Sequence, residues 1–392
     1  MTKISNRNNR ILIFSQFFSA IFFTIPIWIP YYQGYISIEQ ISFLVAMQYA
    51  IQLFCELPTG ALADLIGRKW SVILGYLAVA LSNLFVILHP SFEFIFVGAV
   101  LAGLSEALIS GSLEALVYDS CKQDGEEATY GKVMAKSSFW YQIALAIGTL
   151  SGGFLYRLHP TLPFTAHTVV TIIAMLLSFY FLEPKIDSEH FTLRNYLRQM
   201  KQGAREAFKS RAVALMSLYY VAVAGITWTN QMYFNSFMMV ELGFSDELRS
   251  VIGAVFRILN VFILANLLRN EKIFTPRRSI FFFPIMMLIC YLPGLWFSGW
   301  GALPLVAGAL MVGTARWIIL TPLTNELFES KYRATAISAL SMFIGVIYVV
   351  ITLASGPVIA RFGGVRMVYT LLGVMTLFTV VPLSLVVGKR RE

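Results

Sequence analysis

Apolar runs of similar length recur along the chain, separated by short charged or turn-rich breaks. They fall near 11–33, 40–62, 70–89, 93–117, 133–155 and 164–182, and again near 212–235, 247–268, 279–299, 302–325, 334–360 and 366–388. A run of about 20 apolar residues spans a hydrocarbon core, so the pattern predicts twelve transmembrane helices. The runs lack the ten-residue alternation of a membrane strand, and lipid offers no partner to an open backbone, so an all-α membrane protein is expected. Pro26, Pro30, Pro284 and Pro304 lie inside runs and read as kinks. Two sets of six flank a polar middle, which predicts an N-terminal six-helix bundle over 1–182, a linker over 183–211 and a second bundle over 212–392. In the linker, Leu193, Leu197, Met200, Ala204 and Phe208 recur at helical spacing between Arg194, Arg198, Lys201, Arg205 and Lys209. That pattern predicts an amphipathic helix on the membrane surface.

Composition removes the soluble alternatives. Hydrophobic residues make up 57% of the 392-residue chain and charged residues only 13%, against about 25% charged in soluble domains. Twenty-four of the 30 Lys and Arg fall in one alternating set of loops, including Arg10, Arg68, Lys69, Lys132, Lys136, Arg269, Lys272 and Arg333. The opposite loops hold Arg157, Arg249, Arg361 and Arg366. The bias places both termini in the cytoplasm, and it explains the net charge of +9 without a nucleic-acid partner. Cys55, Cys121 and Cys290 are scattered, and His89, His159, His167 and His190 sit at span ends or loops. Neither set has metal-ligand spacing, so no metal and no cofactor is expected, and an enzyme is not. An ATP-driven pump would need a phosphate-binding Gly-x-x-x-x-Gly-Lys-Ser/Thr loop that is missing.

The halves resemble one another. Gly103-Leu104-Ser105-Glu106 through Tyr118-Asp119-Ser120 in the fourth span lies 210 residues before Gly313-Thr314-Ala315-Arg316 through Phe328-Glu329-Ser330 in the tenth. Ser151-Gly152 with Arg157 matches Ser355-Gly356 with Arg361 at a spacing of 204. Duplicated bundles are a common transporter plan, with the site between the repeats.

The break after the second span reads Gly60-Ala61-Leu62-Ala63-Asp64-Leu65-Ile66-Gly67-Arg68-Lys69. This resembles the G-x-L-A-D-x-x-G-R-K loop of the major facilitator superfamily, although Leu65 stands where that pattern often carries a basic residue. The resemblance implies the family's fold of two pseudo-symmetric six-helix bundles, with spans 1, 4, 7 and 10 lining a central cavity. It also implies a gating role for Gly60, Asp64, Gly67, Arg68 and Lys69, with Asp64 meeting the start of the eleventh span at Arg333. The run from Ala144 to Gly153 is similar to a degraded copy of a glycine motif of the family's exporters. Close helix packing accounts for the same glycines.

Ionisable groups within spans are costly, at about 3 kcal/mol each, and mark function by default. Glu106, Arg257 and Arg316 qualify, and Glu56 precedes Pro58 at the end of the second span. Glu106 is the first candidate for proton coupling and Glu56 the second; an ion pair of Glu106 with an arginine is the structural alternative. Arg257 and Arg316 are candidate substrate contacts, with Gln16, Gln48, Gln52, Gln142, Asn230, Gln231 and Asn260 as amide partners. Trp140, Trp228 and Trp317 are the aromatic ones. These residues lead to the expectation of a monomeric transporter of the plasma membrane, acting on a small-molecule substrate by alternating access in the lipid bilayer. Proton-coupled efflux of an amphipathic compound or metabolite is favoured over uptake or exchange of an anionic solute held by Arg257 and Arg316.

Overall fold

The computed structural model describes residues 3–185, 193–268 and 275–389. His190, Arg269, Lys272 and part of the predicted linker lie outside the described residues.

The described residues are helical almost throughout. The first half holds α1 (Ile4–Ser19), α2 (Trp28–Gln33), α3 (Ile38–Ile66), α4 (Arg68–Leu88), α5 (Phe92–Gln123), α6 (Tyr130–Leu158) and α7 (Leu162–Ser178). The amphipathic pattern of the linker forms α8 (Leu193–Ala207). The second half holds α9 (Arg211–Thr229), α10 (Asn235–Glu241), α11 (Asp246–Leu268), α12 (Pro276–Tyr291), α13 (Leu303–Ala315) and α14 (Thr321–Asn325), then α15 (Arg333–Phe362), α16 (Arg366–Met375) and α17 (Val381–Gly388). Wide π-helical turns join α9 to α10 (Asn230–Phe234), α13 to α14 (Arg316–Leu320) and α16 to α17 (Thr376–Val380). With joined helices counted once, α1 and α2 taken together as a broken first span and the linker helix α8 set aside, twelve segments among the described residues match the twelve predicted spans, and eight are long and apolar enough to cross a membrane.

The first span departs from its prediction. It begins at Ile4, seven residues early, and stops at Ser19, with helix resuming only at Trp28. Between them Phe22 N–H donates to the Ala20 carbonyl at 2.8 Å and Phe23 N–H to Ile21 at 3.0 Å, which is turn rather than helix. Pro26 lacks an N–H and disfavours helix just before it. Gly148 and Gly152 of α6 let this unwound backbone close in: a Cβ on Gly148 would lie 2.6 Å from the Phe22 nitrogen, and one on Gly152 would overlap the Phe23 carbonyl. Backbone without helical bonds is tolerated at membrane depth where protein covers it. The glycines compared with an exporter motif thus have a local packing task.

Contacts divide the chain into two units. The first is Met1–Ser37, Met47–Leu193 and Asp246–Ala254; the second is Ile38–Ala46, Arg194–Ser245 and Val255–Glu392. The expected boundaries did not anticipate that each unit takes in a helix end from elsewhere in the sequence, the start of α11 in the first and the start of α3 in the second. Small residues seat these ends. A Cβ on Gly153 would overlap the Asp246 carbonyl, and Gly153 N–H donates to Ser250 Oγ at 2.7 Å. In the second unit a Cβ on Gly356 would lie 2.9 Å from Ser42 Cβ, and the Ser42 hydroxyl meets Tyr233 OH at 2.6 Å. Of the Ser-Gly repeat noticed in the sequence, Gly356 seats a borrowed helix end, whereas Gly152 lies against Phe23 and its neighbour Gly153 takes the docking role.

Within the first unit, α4 and α5 close on a seam of serine and glycine. Ser71 Oγ donates to the Leu108 carbonyl at 3.0 Å, Ser82 Oγ to Gly98 at 2.8 Å and Ser112 Oγ to Ser71 Oγ at 3.0 Å. Small residues bring helices close where lipid removes the hydrophobic drive. Leu12, Val72, Tyr76, Leu113, Leu116 and Val117 form the core beside this seam.

Candidate transport site

The packing of α5 decides where Glu106 points. Gly103 lies against the Gln48 carbonyl of α3, and Ser105, Ala107 and Leu108 are buried. Glu106 is turned the other way and is open, as are Ser110, Glu114 and Tyr118 at successive four-residue steps. Four-residue steps place these groups in one inclined row on the helix surface. A row with two carboxylates inside a span belongs against water, because hydrocarbon would charge it several kcal/mol. Among the described residues Glu106 makes no ion pair or hydrogen bond. Glu56 is likewise open near the end of α3.

Of the amide and aromatic candidates in this unit, Gln16 and Trp140 come together on the α1–α6 seam. Ser137 Oγ donates to Gln16 Oε1, and Trp140 meets Phe17 edge to face at 6.1 Å. Gln48 and Gln52 are half-buried in α3, and Gln142 is open.

The second unit treats its charge differently. Arg316 is 1% exposed, although its match to Glu106 suggests an open position. Its guanidinium lies 4.2 Å from the Trp317 ring centre and 5.8 Å from that of Tyr220, and Nη1 donates to Tyr220 OH at 3.3 Å. Tyr220 in turn meets Thr321 Oγ1 at 3.2 Å, and Thr321 Oγ1 donates to the Arg316 carbonyl at 3.3 Å. Aromatic faces and a phenol hydroxyl suit an enclosed arginine. Trp228 packs edge to face on Trp317 at 6.2 Å. Asn230 is fully buried, and Gln231 lies against Gly313, whose Cβ would come within 2.9 Å of its Oε1. Arg257 and Asn260 are half-buried on α11. Two wide turns begin at Asn230 and Arg316 themselves, and such turns recur at functional sites.

Gly67, Arg68 and Lys69 of the motif loop have partners inside their own unit. Gly67, at φ +95°, ends α3 and turns the chain into α4, a conformation that favours glycine. Arg68 pairs with Asp119 of α5, while the Arg68 and Lys69 N–H groups donate to the two Glu183 oxygens at 2.7 and 2.9 Å. A carboxylate on those free N–H groups also meets the positive end of α4. Gly60 and Asp64 are half-buried in α3, and Arg333 opens α15 in the second unit.

Sequence reasoning missed Glu183, Tyr220 and His167. His167 is 4% exposed, its ring 4.8 Å from that of Phe22 beside the break in the first span, with Nδ1 3.2 Å from Asn83 Nδ2. Asn83 donates there, which leaves the ring proton on Nε2. A histidine so close to a predicted span end gave no sign of burial; pairing it with Asn83, itself inside a span, was the usable signal.

The long apolar helices among the described residues are those of a multi-pass membrane protein. The sequence profile of the Major Facilitator Superfamily matches residues 11–327, and the chain belongs to that family. It is 26% identical over 373 residues to the uncharacterized MFS-type transporter YxaM of Bacillus subtilis (strain 168), covering 91% of each chain. It is 24% identical to multidrug resistance protein 2 of the same organism, covering 67% of this chain and 68% of that one. In fold it is similar to the nucleoside transporter NupG, with a TM-score of 0.74 at 12% identity over 100% of both chains. A bacterial homologue of the lysosomal transporter Spinster gives 0.73 at 16% identity, over 99% of this chain and 98% of that one.

Proposed function

We propose that this transporter exports amphipathic compounds or metabolites in exchange for protons, acting as a monomer in the cell membrane with both termini in the cytoplasm. Two relatives named as multidrug resistance proteins support efflux, and the loop charge bias supports the orientation. The observation that carries proton coupling is the open row of Glu106, Ser110, Glu114 and Tyr118 on α5. In this reading its first carboxylate, exposed within the span, exchanges a proton with water. Arg316, enclosed by Tyr220 and Trp317, is better placed to hold the second unit together than to hold an anion, which leaves Arg257 as the cation of the anion-transport reading.

The test uses purified protein in liposomes with an imposed pH gradient and a panel of amphipathic cationic dyes. Glu106→Gln is expected to reduce gradient-driven dye movement to background while dye exchange at equal pH continues. Undiminished uphill movement in that variant would reject Glu106 as the proton carrier.

A further inference from the structure

Where the chain begins, α1 and α6 frame a cavity of about 270 Å³. Asn6 and Arg10 face it from α1, Lys132 and Lys136 from α6, each pair at the four-residue spacing that puts both groups on one helix face. Asn9 and Ile13, with Thr129 and Val133, complete the wall. Lys3 pairs with Glu126 at 2.6 Å, and Ser5 N–H donates to Asp124 at 2.7 Å, so both helices start at the same end of the unit. Ile13 and Val133 therefore lie deeper in the membrane than Asn6 and Thr129. Beyond them the flank is aromatic: Phe14 and Phe139 are 57% and 60% exposed, and Phe17 packs on Trp140.

No carboxylate pairs with the cations here, among the described residues. Arg10, Lys132 and Lys136 make no ion pair or hydrogen bond among the described residues; of the carboxylates in the adjoining turn, Asp124 and Glu126 are engaged by Ser5 and Lys3, and Glu127, two residues before Thr129, pairs with none of the three cations. Three cations around one hollow repel one another, and an anion with several oxygens removes that cost. Asn6 and the amide nitrogen of Asn9 add neutral donors. A polar mouth leading to an apolar flank matches a phosphate carried on an acyl chain, and basic pockets between membrane helices hold such headgroups.

We propose that this cavity is a phosphate-binding site, filled by the headgroup of an anionic phospholipid. The proposal draws on the function proposed above only for the cytoplasmic side, and its test measures binding rather than transport. The full-length protein in neutral detergent is titrated with phosphatidylglycerol or phosphatidylcholine, and bound lipid is counted by native mass spectrometry. The wild type is expected to prefer phosphatidylglycerol by about a hundredfold, the combined attraction of three cations for an anionic lipid. Replacing Arg10, Lys132 and Lys136 together by Gln abolishes the preference, whereas Lys122→Gln, Lys201→Gln and Lys331→Gln combined, the same charge removed elsewhere, preserves it. A charge-keeping set, Arg10→Lys with Lys132→Arg and Lys136→Arg, restores binding and so separates lost binding from lost folding. A second arm adds millimolar inorganic phosphate: a melting shift in the wild type but not in the cavity triple, without lipid preference, assigns the site to free phosphate. Equal lipid preference in wild type and cavity triple with no phosphate shift, or equal loss in both triples, overturns the proposal.

Discussion

At matching points of the repeat the two units place opposite charges in opposite surroundings. Glu106 lies open on a polar row of α5, while Arg316 is sealed behind Tyr220 and Trp317. One half leaves its ionisable group exposed, and the other buries one where a wide turn begins. The matched positions both carry charge and differ in its sign and exposure.

The comparison can be broken by stability measurements in detergent. Arg316→Ala is expected to have the largest effect, a loss of about 3 kcal/mol, because it empties a filled interior site and takes from the Tyr220 hydroxyl one of its two partners, leaving Thr321 Oγ1. An unchanged melting temperature would mean that Arg316 is not a packing element. Gly153→Val forces a side chain against the Asp246 carbonyl and should cost about 1–3 kcal/mol. Gly111→Ala, with nothing within 4 Å of its added carbon, is the matched control. Tyr220→Phe removes one hydrogen bond to a charged group, for about 1–2 kcal/mol. Glu106→Gln should change stability by less than about 0.5 kcal/mol, as open positions do; a large loss there would make the halves alike after all.

The smallest effect is one of pH. The Ser5 backbone N–H holds Asp124 below its ordinary value of 3.8, and the Lys3 ammonium holds Glu126 below 4.5. Depressed carboxylates stabilise the folded state fully above those unfolded-state values. That contribution is lost as pH falls through the lower folded ones. Protection factors for hydrogen exchange over Ile4–Leu12, taken relative to the intrinsic rate at each pH, should therefore fall on acidification below about pH 4, and Glu126→Gln should lessen the change.

Span positions were legible because apolar length alone decides what can cross a bilayer. The motif loop was legible through its spacing. The break after Ser19, the sealing of Arg316 and the burial of His167 were not. In a membrane both the packed and the lipid-facing sides of a helix are apolar, so hydropathy carries little sign of which side is enclosed. The open row on α5 is the exception, since its polar residues contrast with their neighbours. Gly356 of the Ser-Gly repeat marked a docking surface and Gly152 stood one residue from another, at Gly153, but nothing local announced that the incoming segments were Asp246–Ala254 and Ile38–Ala46.

Those borrowed helix ends impose an order on biosynthesis. A nascent chain that has left the ribosome as far as Leu193 cannot yet complete its first unit, because the piece that covers Gly153 runs only to Ala254. At about 5–20 residues per second the surface waits several seconds uncovered. During that interval a half-made protein presents a bare glycine groove to the insertion machinery and to neighbouring chains.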